Sequence, residues 1–141
     1  MYVKLFIVIF ILMLKSTFAA AETDTFKSLE NNVYDVQELT IIGTDYEAFS
    51  SHVTELGLAL GRYKREANGS GSGAYEYLIQ EAAETYIEAL DNWRKSLSSD
   101  STDESIRDLI ARANITLRDT KIKRAAEKIR AAEVFKKSRS N

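Results

Sequence analysis

Apolar residues recur three and four positions apart over most of the chain after residue 25, which is the period of one face of an α-helix. The first series ends at Gly43, and glycine favours the left-handed conformation that commonly closes a helix. Thr44 and Glu47 then have the spacing of a capping box, which predicts the start of a second helix. The two series are Phe26, Leu29, Val33, Val36 and Leu39, and then Tyr46, Phe49, Val53, Leu56, Leu60 and Tyr63.

A Gly/Ser segment, residues 68–73, follows the second series. It has no side chain able to pack, and three glycines are typical of a flexible turn between helices. A third helix is predicted from about Ala74 to Leu97. Its apolar positions are Tyr75, Leu78, Ala82, Tyr86, Ala89, Leu90, Trp93 and Leu97.

The fourth predicted helix carries two apolar series in different phases. Ser101 and Glu104 repeat the capping-box spacing ahead of it. The first series is Ile106, Leu109, Ile110, Ala113 and Leu117, and the second is the seam of Ile115, Ile122 and Ile129 with Ala111, Ala125 and Ala132 between them, as in a coiled coil. The helix therefore bends near Asn114 or presents two faces. If it continues to about Lys137 it is roughly 50 Å long and projects beyond the other three.

These patterns predict an all-α fold, an up-down four-helix bundle with a long, basic C-terminal helix. We expect one domain over residues 22–141, with residues 118–141 as a basic extension of the last helix. The chain contains no Cys, so packing and not disulfides must hold this domain together.

Residues 1–21 have the layout of a secretory signal peptide. One basic residue precedes ten consecutive apolar residues, Leu5 to Leu14, and the segment ends in Ala19-Ala20-Ala21. Because the apolar run stops at Lys15, it is too short for the roughly 20 residues of a membrane span. The pattern predicts export to a periplasm or to the medium, with cleavage after Ala21 or after Ala19. A buried N-terminal helix or an uncleaved signal anchor is the alternative.

The composition supplies little chemistry. The chain has 141 residues, one His and no Cys, which removes most constellations for metal binding, thiol chemistry and acid/base catalysis. We therefore expect no catalytic, metal or cofactor site. The enzyme alternative would need Arg62, Arg94, Arg107 and Arg112 to converge on a dianionic substrate, and nothing in their spacing supports that.

Charge is divided along the chain. Residues 22–117 carry 8 basic and 18 acidic side chains, whereas residues 118–141 carry 9 basic and 3 acidic ones. These late cations complement the dipole of the last helix and its acidic neighbours, or they form an interaction surface together with the seam. Nucleic acid is disfavoured as a partner because the acidic body repels phosphate. The candidate interaction residues are Arg118, Lys121, Ile122, Lys123, Arg124, Lys128, Ile129, Arg130, Lys136 and Lys137.

Aromatic residues at helical spacing offer a second candidate site. Such a set forms core or lines a groove for a small molecule. The candidate groove residues are Tyr46, Tyr63, Tyr75, Tyr86 and Trp93.

Two stretches, GTDYEAFSSHVTELGLALGRY (43–63) and EAAETYIEALDNW (81–93), resemble small exported bacterial helical proteins without an assigned activity. The resemblance implies export and an all-α fold, and it carries over no catalytic residue. The sequence thus favours a non-catalytic interaction protein. It would associate through its C-terminal helix with a protein partner, another copy or an anionic envelope surface. The alternative functions are a small-molecule-binding module and a small exported enzyme.

Overall fold

The computed structural model describes residues 24–67, 73–98 and 102–139, and four helices account for nearly all of them. Residues 24–42 are helical and form α1. Helix α2 spans Tyr46–Glu66, α3 spans Ala74–Leu97 and α4 spans Glu104–Arg139. These three ranges contain no strand. The expected signal segment and most of the Gly/Ser turn lie outside the described residues.

The helices alternate in direction, which confirms the predicted up-down bundle. Tyr63 at the end of α2 donates a hydrogen bond to Glu76 at the start of α3 over 3.0 Å. At the other end of this pair, the rings of Tyr46 and Trp93 lie 5.6 Å apart. None of the helices in the described ranges combines the length and the apolarity needed to cross a bilayer.

One core runs through all four helices. The predicted apolar face of α2 is buried from Phe49 to Tyr63, with Tyr46 partly buried, and buried residues of α1, α3 and α4 complete the same core. The largest side chains with 0% exposure are Leu29, Val33, Val36, Phe49, Leu56, Ile79, Tyr86 and Ile129.

Single residues next to the helices determine where α1 ends and where α2 and α4 begin. Gly43, between α1 and α2, has a φ of 87°, which other residues rarely adopt, as the sequence predicts. The start of α2 corrects the prediction: Asp45, not Thr44, is the cap, and its carboxylate accepts a hydrogen bond from the Ala48 amide over 2.8 Å. Asp103 holds the same place before α4, where its carboxylate accepts from the Ser105 amide over 2.9 Å.

Two ion pairs fix the register between α3 and α4. Lys121 binds Glu88, and Lys128 binds Glu81 over 2.5 Å. The two pairs are seven residues apart on each helix, so the same register places Leu97, the last residue of α3, level with about residue 112 of α4. At 1.5 Å per residue, residues 104–111 of α4 extend about 12 Å past the end of α3.

Candidate association surface on α4

The second half of α4 packs into the bundle of its own chain. Ala125, Ile129 and Ala132 are all 0% exposed, and Ile122 is partly buried against the same core. The small alanines allow neighbouring helices to approach closely, so the Ile/Ala seam packs within the molecule from Ile122 to Ala132, whereas Ile115 nearer its start is 38% exposed. This corrects the interpretation of Ile122 and Ile129 as contacts for a partner.

The basic residues of α4 divide into two groups. Of the eight that the sequence proposes as interaction residues, four contact other side chains of the same chain, and the other four, Lys123, Arg124, Arg130 and Lys137, are exposed. The internal contacts are Lys121 with Glu88, Lys128 with Glu81, Lys136 with Glu30 (3.0 Å), and Arg118 with Asp119 (2.6 Å). Three of these four cations therefore bind acidic side chains of α1 and α3. This agrees with the explanation that the late cations complement their acidic neighbours. Exposed pairs of this kind contribute roughly 0–1 kcal/mol each.

The first half of α4 is different, because its apolar series remains exposed to solvent. We call Ile106, Leu109, Ile110, Ala113 and Leu117 the open stripe. Ile106 is 49% exposed, Leu109 69%, Ile110 39% and Leu117 49%. Ala113 is exposed as well. The sequence left open whether α4 bends near Asn114 or presents two faces, and the structure shows one continuous helix in which this series forms an exposed second face.

The geometry of α4 separates its two apolar faces. The helix is continuous from Glu104 to Arg139, and at 100° per residue the open stripe lies about a third of a turn from the buried face around Ala125 and Ile129. Leu117, at the lower end of the stripe, shares a shallow surface pocket with Asp91 and Asn92 of α3. Further along α4, where α3 is present, Lys123, Arg124 and Glu127 lie on the same side as Leu109 and Ile106 and are exposed as well. Most of the open stripe therefore lies on the solvent side of the bundle, and Leu117 lies at its edge toward α3.

The charges around the open stripe balance. Between Glu104 and Leu117 the charged residues are two acids, Glu104 and Asp108, and two bases, Arg107 and Arg112. None of these four charged residues occupies a position of the open stripe. This part of α4 is consequently an apolar, electrically neutral surface, unlike the basic half that follows it.

The five aromatic residues of the candidate groove do not form one site. Tyr63 and Tyr86 are core residues, 3% and 0% exposed, so neither lines an open groove. The rings of Tyr63 and Tyr75 both contact Phe26 at steep angles, whereas Tyr46 and Trp93 pack at the opposite end of the bundle. The physical reason is the length of α2, whose Tyr46 and Tyr63 are about 25 Å apart along the helix.

The cluster around Tyr75 joins three helices. Its hydroxyl donates to Glu30 of α1, and the Lys136 ammonium of α4 lies 4.9 Å from the centre of its ring. Burial raises the pKa of the Tyr75 hydroxyl, and the hydrogen bond to Glu30 raises it further. The group therefore stays protonated and acts as a fixed donor within the fold.

The phenol of Tyr86 lies in the middle of the core. Burial raises its pKa to about 12, although the neighbouring Thr40 hydroxyl acts in the opposite direction. Thr40 donates its own proton to the Gln37 carbonyl over 2.7 Å. Within the described part of the chain, the Tyr86 hydroxyl has no hydrogen-bond partner.

Trp93 lines an open surface cleft with a volume of about 390 Å³. The guanidinium of Arg118 lies 4.4 Å above the centre of the Trp93 ring, and Arg118 is itself bound to Asp119. The cleft combines apolar and charged side chains from α1, α3 and α4. It is lined by Thr40, Ile41, Thr44, Trp93, Arg118, Asp119, Ile122, Lys123 and Ala126.

The residues considered for catalysis and metal binding are dispersed. Arg62, Arg94, Arg107 and Arg112 lie exposed on three different helices. Nδ1 of His52 lies 3.0 Å from the carbonyl oxygen of Ala48 on the preceding turn of α2. Groups of three or more His, Cys, Asp or Glu with metal-binding geometry do not occur among residues 24–67, 73–98 and 102–139.

No family model, no curated protein sequence and no solved structure matches this chain. The functional argument therefore depends on the surface features just described.

Proposed function

We propose that this chain is an exported, non-catalytic interaction protein that associates with a protein partner through its C-terminal helix, specifically through the open stripe on the first half of α4. The observation that carries the proposal is the exposure of this stripe, in which Leu109 is 69% and Ile106 49% exposed. Contiguous apolar surface on a small domain marks sites of association, whereas a single exposed apolar residue does not.

The projecting helix itself supports the proposal. An isolated helix shorter than about 12 residues is marginal in water, and most helical stability comes from packing an apolar face. Residues 104–111 receive none of that packing from α3, because α3 ends at Leu97. A partner that covers Leu109 would provide the missing packing.

Charge favours a protein partner over an anionic membrane surface. Residues 104–117 carry two acids and two bases, and a surface that binds anionic lipid needs an excess of cations. Such an excess exists further along α4, where Lys121, Lys128 and Lys136 bind acidic side chains of the same chain and Lys123, Arg124, Arg130 and Lys137 are exposed. The apolar surface and the cations therefore lie on different parts of the helix.

Site-specific photo-cross-linking in the producing cells tests this function. A photoreactive residue replaces Leu109 in one variant and Leu58 in the matched control. Leu58 is also an exposed leucine, 58% accessible, but lies on α2 outside the open stripe. We expect a discrete cross-linked species from position 109 that is absent from position 58. Equal or absent cross-linking at both positions would refute association through the stripe.

The proposed export has its own test. Residues 1–21 carry the signal pattern that supports it, and the protein recovered outside the cytoplasm should begin at Glu22, or at Ala20 after cleavage at the alternative site. Recovery of the chain with Met1 intact and only in the cytoplasm would exclude export.

The cleft beside Trp93 favours a second candidate function, the binding of a small molecule. Its volume of about 390 Å³ lies within the usual range for ligand sites, roughly 300–1,000 Å³. Trp93 is the only tryptophan in the chain, so its fluorescence reports directly on this cleft. A ligand screen followed by fluorescence should find compounds whose signal is lost in Ile122→Glu but kept in Leu58→Glu. A screen without such compounds would remove this function.

A further inference from the structure

We infer that the cleft beside Trp93 binds a free aliphatic carboxylate, with the carboxylate beside Lys123 and the aliphatic chain against Ile41 and Ile122. The inference rests on the second candidate function, the binding of a small molecule, and adds to it the chemical class of the ligand. It does not depend on the open stripe.

The charge of the cleft favours a ligand with one negative charge. The charged residues that line it are two cations, Arg118 and Lys123, and one anion, Asp119. Arg118 is paired with Asp119 over 2.6 Å, whereas Lys123 is exposed and forms no ion pair within the described part of the chain. Lys123 therefore leaves the cleft with one excess positive charge. A single carboxylate balances this charge.

The aliphatic side chains of the cleft are incompletely covered by the fold. Ile41, near the end of α1, is 76% exposed, and Ile122 of α4 is only partly buried against the core. Ala126 lines the same cleft one turn further along α4 and is half-buried. Removal of apolar surface from water is favourable in proportion to its area. A chain of methylenes between α1 and α4 would remove this surface from water.

The surroundings of Trp93 favour an aliphatic ligand over an aromatic one. The Arg118 guanidinium lies 4.4 Å above the centre of the Trp93 ring. The rings of Tyr46 and Phe49 lie 5.6 Å and 5.4 Å from the same ring, centre to centre. An aromatic ligand gains its specific attraction by packing its ring against a free side of another ring. Because three side chains of the same chain already surround Trp93, a flexible aliphatic chain fits the remaining apolar wall better.

The two threonines of the cleft determine where the carboxylate binds. Thr40 donates its hydroxyl proton to the Gln37 carbonyl over 2.7 Å, and Thr44 donates its own to the Asp45 carbonyl over 3.0 Å. Neither hydroxyl has a second proton to offer, and a carboxylate only accepts hydrogen bonds. The ammonium of Lys123, by contrast, carries three donors. The carboxylate therefore lies at α4 and not at the turn between α1 and α2.

Titration of the purified chain with decanoate tests the inference through the fluorescence of Trp93, the only tryptophan. Decyltrimethylammonium is the reference ligand, because it has the same aliphatic chain and the opposite charge. Both are used below the concentrations at which they form micelles. We expect a saturable change with decanoate, and at least about tenfold weaker binding of the cation. Tighter binding of the cation would overturn the inference.

Charge reversal at Lys123 assigns the head group to its place. Lys123→Glu should weaken decanoate binding at least about tenfold and strengthen binding of decyltrimethylammonium. The matched control is Lys137→Glu, which changes an exposed lysine about 21 Å further along α4 and should bind decanoate like the unmodified chain. Equal weakening in both variants, or in neither, would overturn the carboxylate site. Circular dichroism establishes that both variants are folded, which we expect since both lysines are exposed.

Chain length and NMR mapping test the aliphatic wall. Each methylene removed between decanoate and octanoate should weaken binding by up to about fourfold, and equal affinities would overturn the wall. Amide shifts should centre on Ile41 and Lys123. Equal shifts at Leu109 would show non-specific binding to exposed apolar surface and would also overturn the inference.

The outcomes separate the inference from the function on which it rests. If decanoate binds at Trp93 without dependence on Lys123, the inference fails and small-molecule binding stands. If no member of the series binds, the inference fails, and small-molecule binding survives only if the ligand screen finds a compound of another class that is lost in Ile122→Glu.

Discussion

Replacement of Ile129 by alanine tests whether the Ile/Ala seam of α4 belongs to the core of its own chain. Ile129 is 0% exposed and packs with Ala125 and Ala132, so the substitution removes three carbons from a filled interior. At about 0.8 kcal/mol per buried carbon, the transfer free energy alone amounts to about 2.4 kcal/mol. The cavity left behind adds to this, and a loss of about 3 kcal/mol in the free energy of unfolding is expected.

Urea and thermal unfolding followed by circular dichroism measure this loss, with Leu109→Ala as the matched control on the same helix. Leu109 is 69% exposed, so its truncation should cost less than about 1 kcal/mol at protein concentrations where the chain is monomeric. For a domain of this size, 3 kcal/mol corresponds to a decrease in Tm of about 10 °C. The reasoning is refuted if Ile129→Ala unfolds within 1 kcal/mol of the unmodified chain, or if both variants lose the same stability.

Three further predictions follow from single residues. Tyr86→Phe should leave stability unchanged or raise it by about 1 kcal/mol, since it removes a buried hydroxyl without a partner in the described structure; a loss above 1 kcal/mol in urea unfolding would contradict this. Gly43→Ala should cost about 1 kcal/mol because φ at Gly43 is 87°, whereas Gly57→Ala inside α2 should cost nothing; the same unfolding assay compares them. Hydrogen bonds from Ser105 lower the pKa of Asp103, so its stabilisation of the start of α4 is complete above the unfolded pKa of about 3.9 and is lost as the pH falls through the lower folded pKa. An NMR titration checks this: the Ser105 amide should shift with a midpoint below 3.9 in the unmodified chain and lose that shift in Asp103→Asn.

The sequence was sufficient for features that depend on local periodicity. The three-and-four spacing from Phe49 to Tyr63 predicted the buried face of α2 correctly, and Gly43 marked the turn between α1 and α2. The capping residues at the helix starts were predicted less accurately. Thr44 and Asp45 can both cap a helix. Periodicity does not fix the first residue of a helix to within one position, so it could not decide between them.

The placement of the two apolar faces of α4 could not be predicted from the sequence. Either the stripe around Leu109 or the seam around Ile129 could have faced the core, since both have helical spacing. The choice depends on which side of α4 packs against α3, and the Lys121–Glu88 and Lys128–Glu81 pairs that mark this packing form only in the folded chain. The phase change near Asn114 was the signal that the two faces differ. It did not indicate which face would be exposed.

The contacts within the candidate sites also could not be predicted from the sequence. The excess of cations after residue 117 was visible in the sequence, but their acidic partners Glu81 and Glu88 are more than 30 residues away and meet them only through the antiparallel packing. The aromatic residues were likewise grouped by type, although Tyr63 and Trp93 lie at opposite ends of the bundle. Composition identifies such residues, and tertiary structure determines which of them meet.

Amide hydrogen exchange along α4 tests the central claim most directly, namely that residues 104–111 form an uncovered surface and the later part of α4 belongs to the core. In the isolated chain, residues 104–111 should exchange quickly and residues 121–135 should be strongly protected. Fast exchange in 121–135, or protection in 104–111 as strong as that in 121–135, would contradict the account.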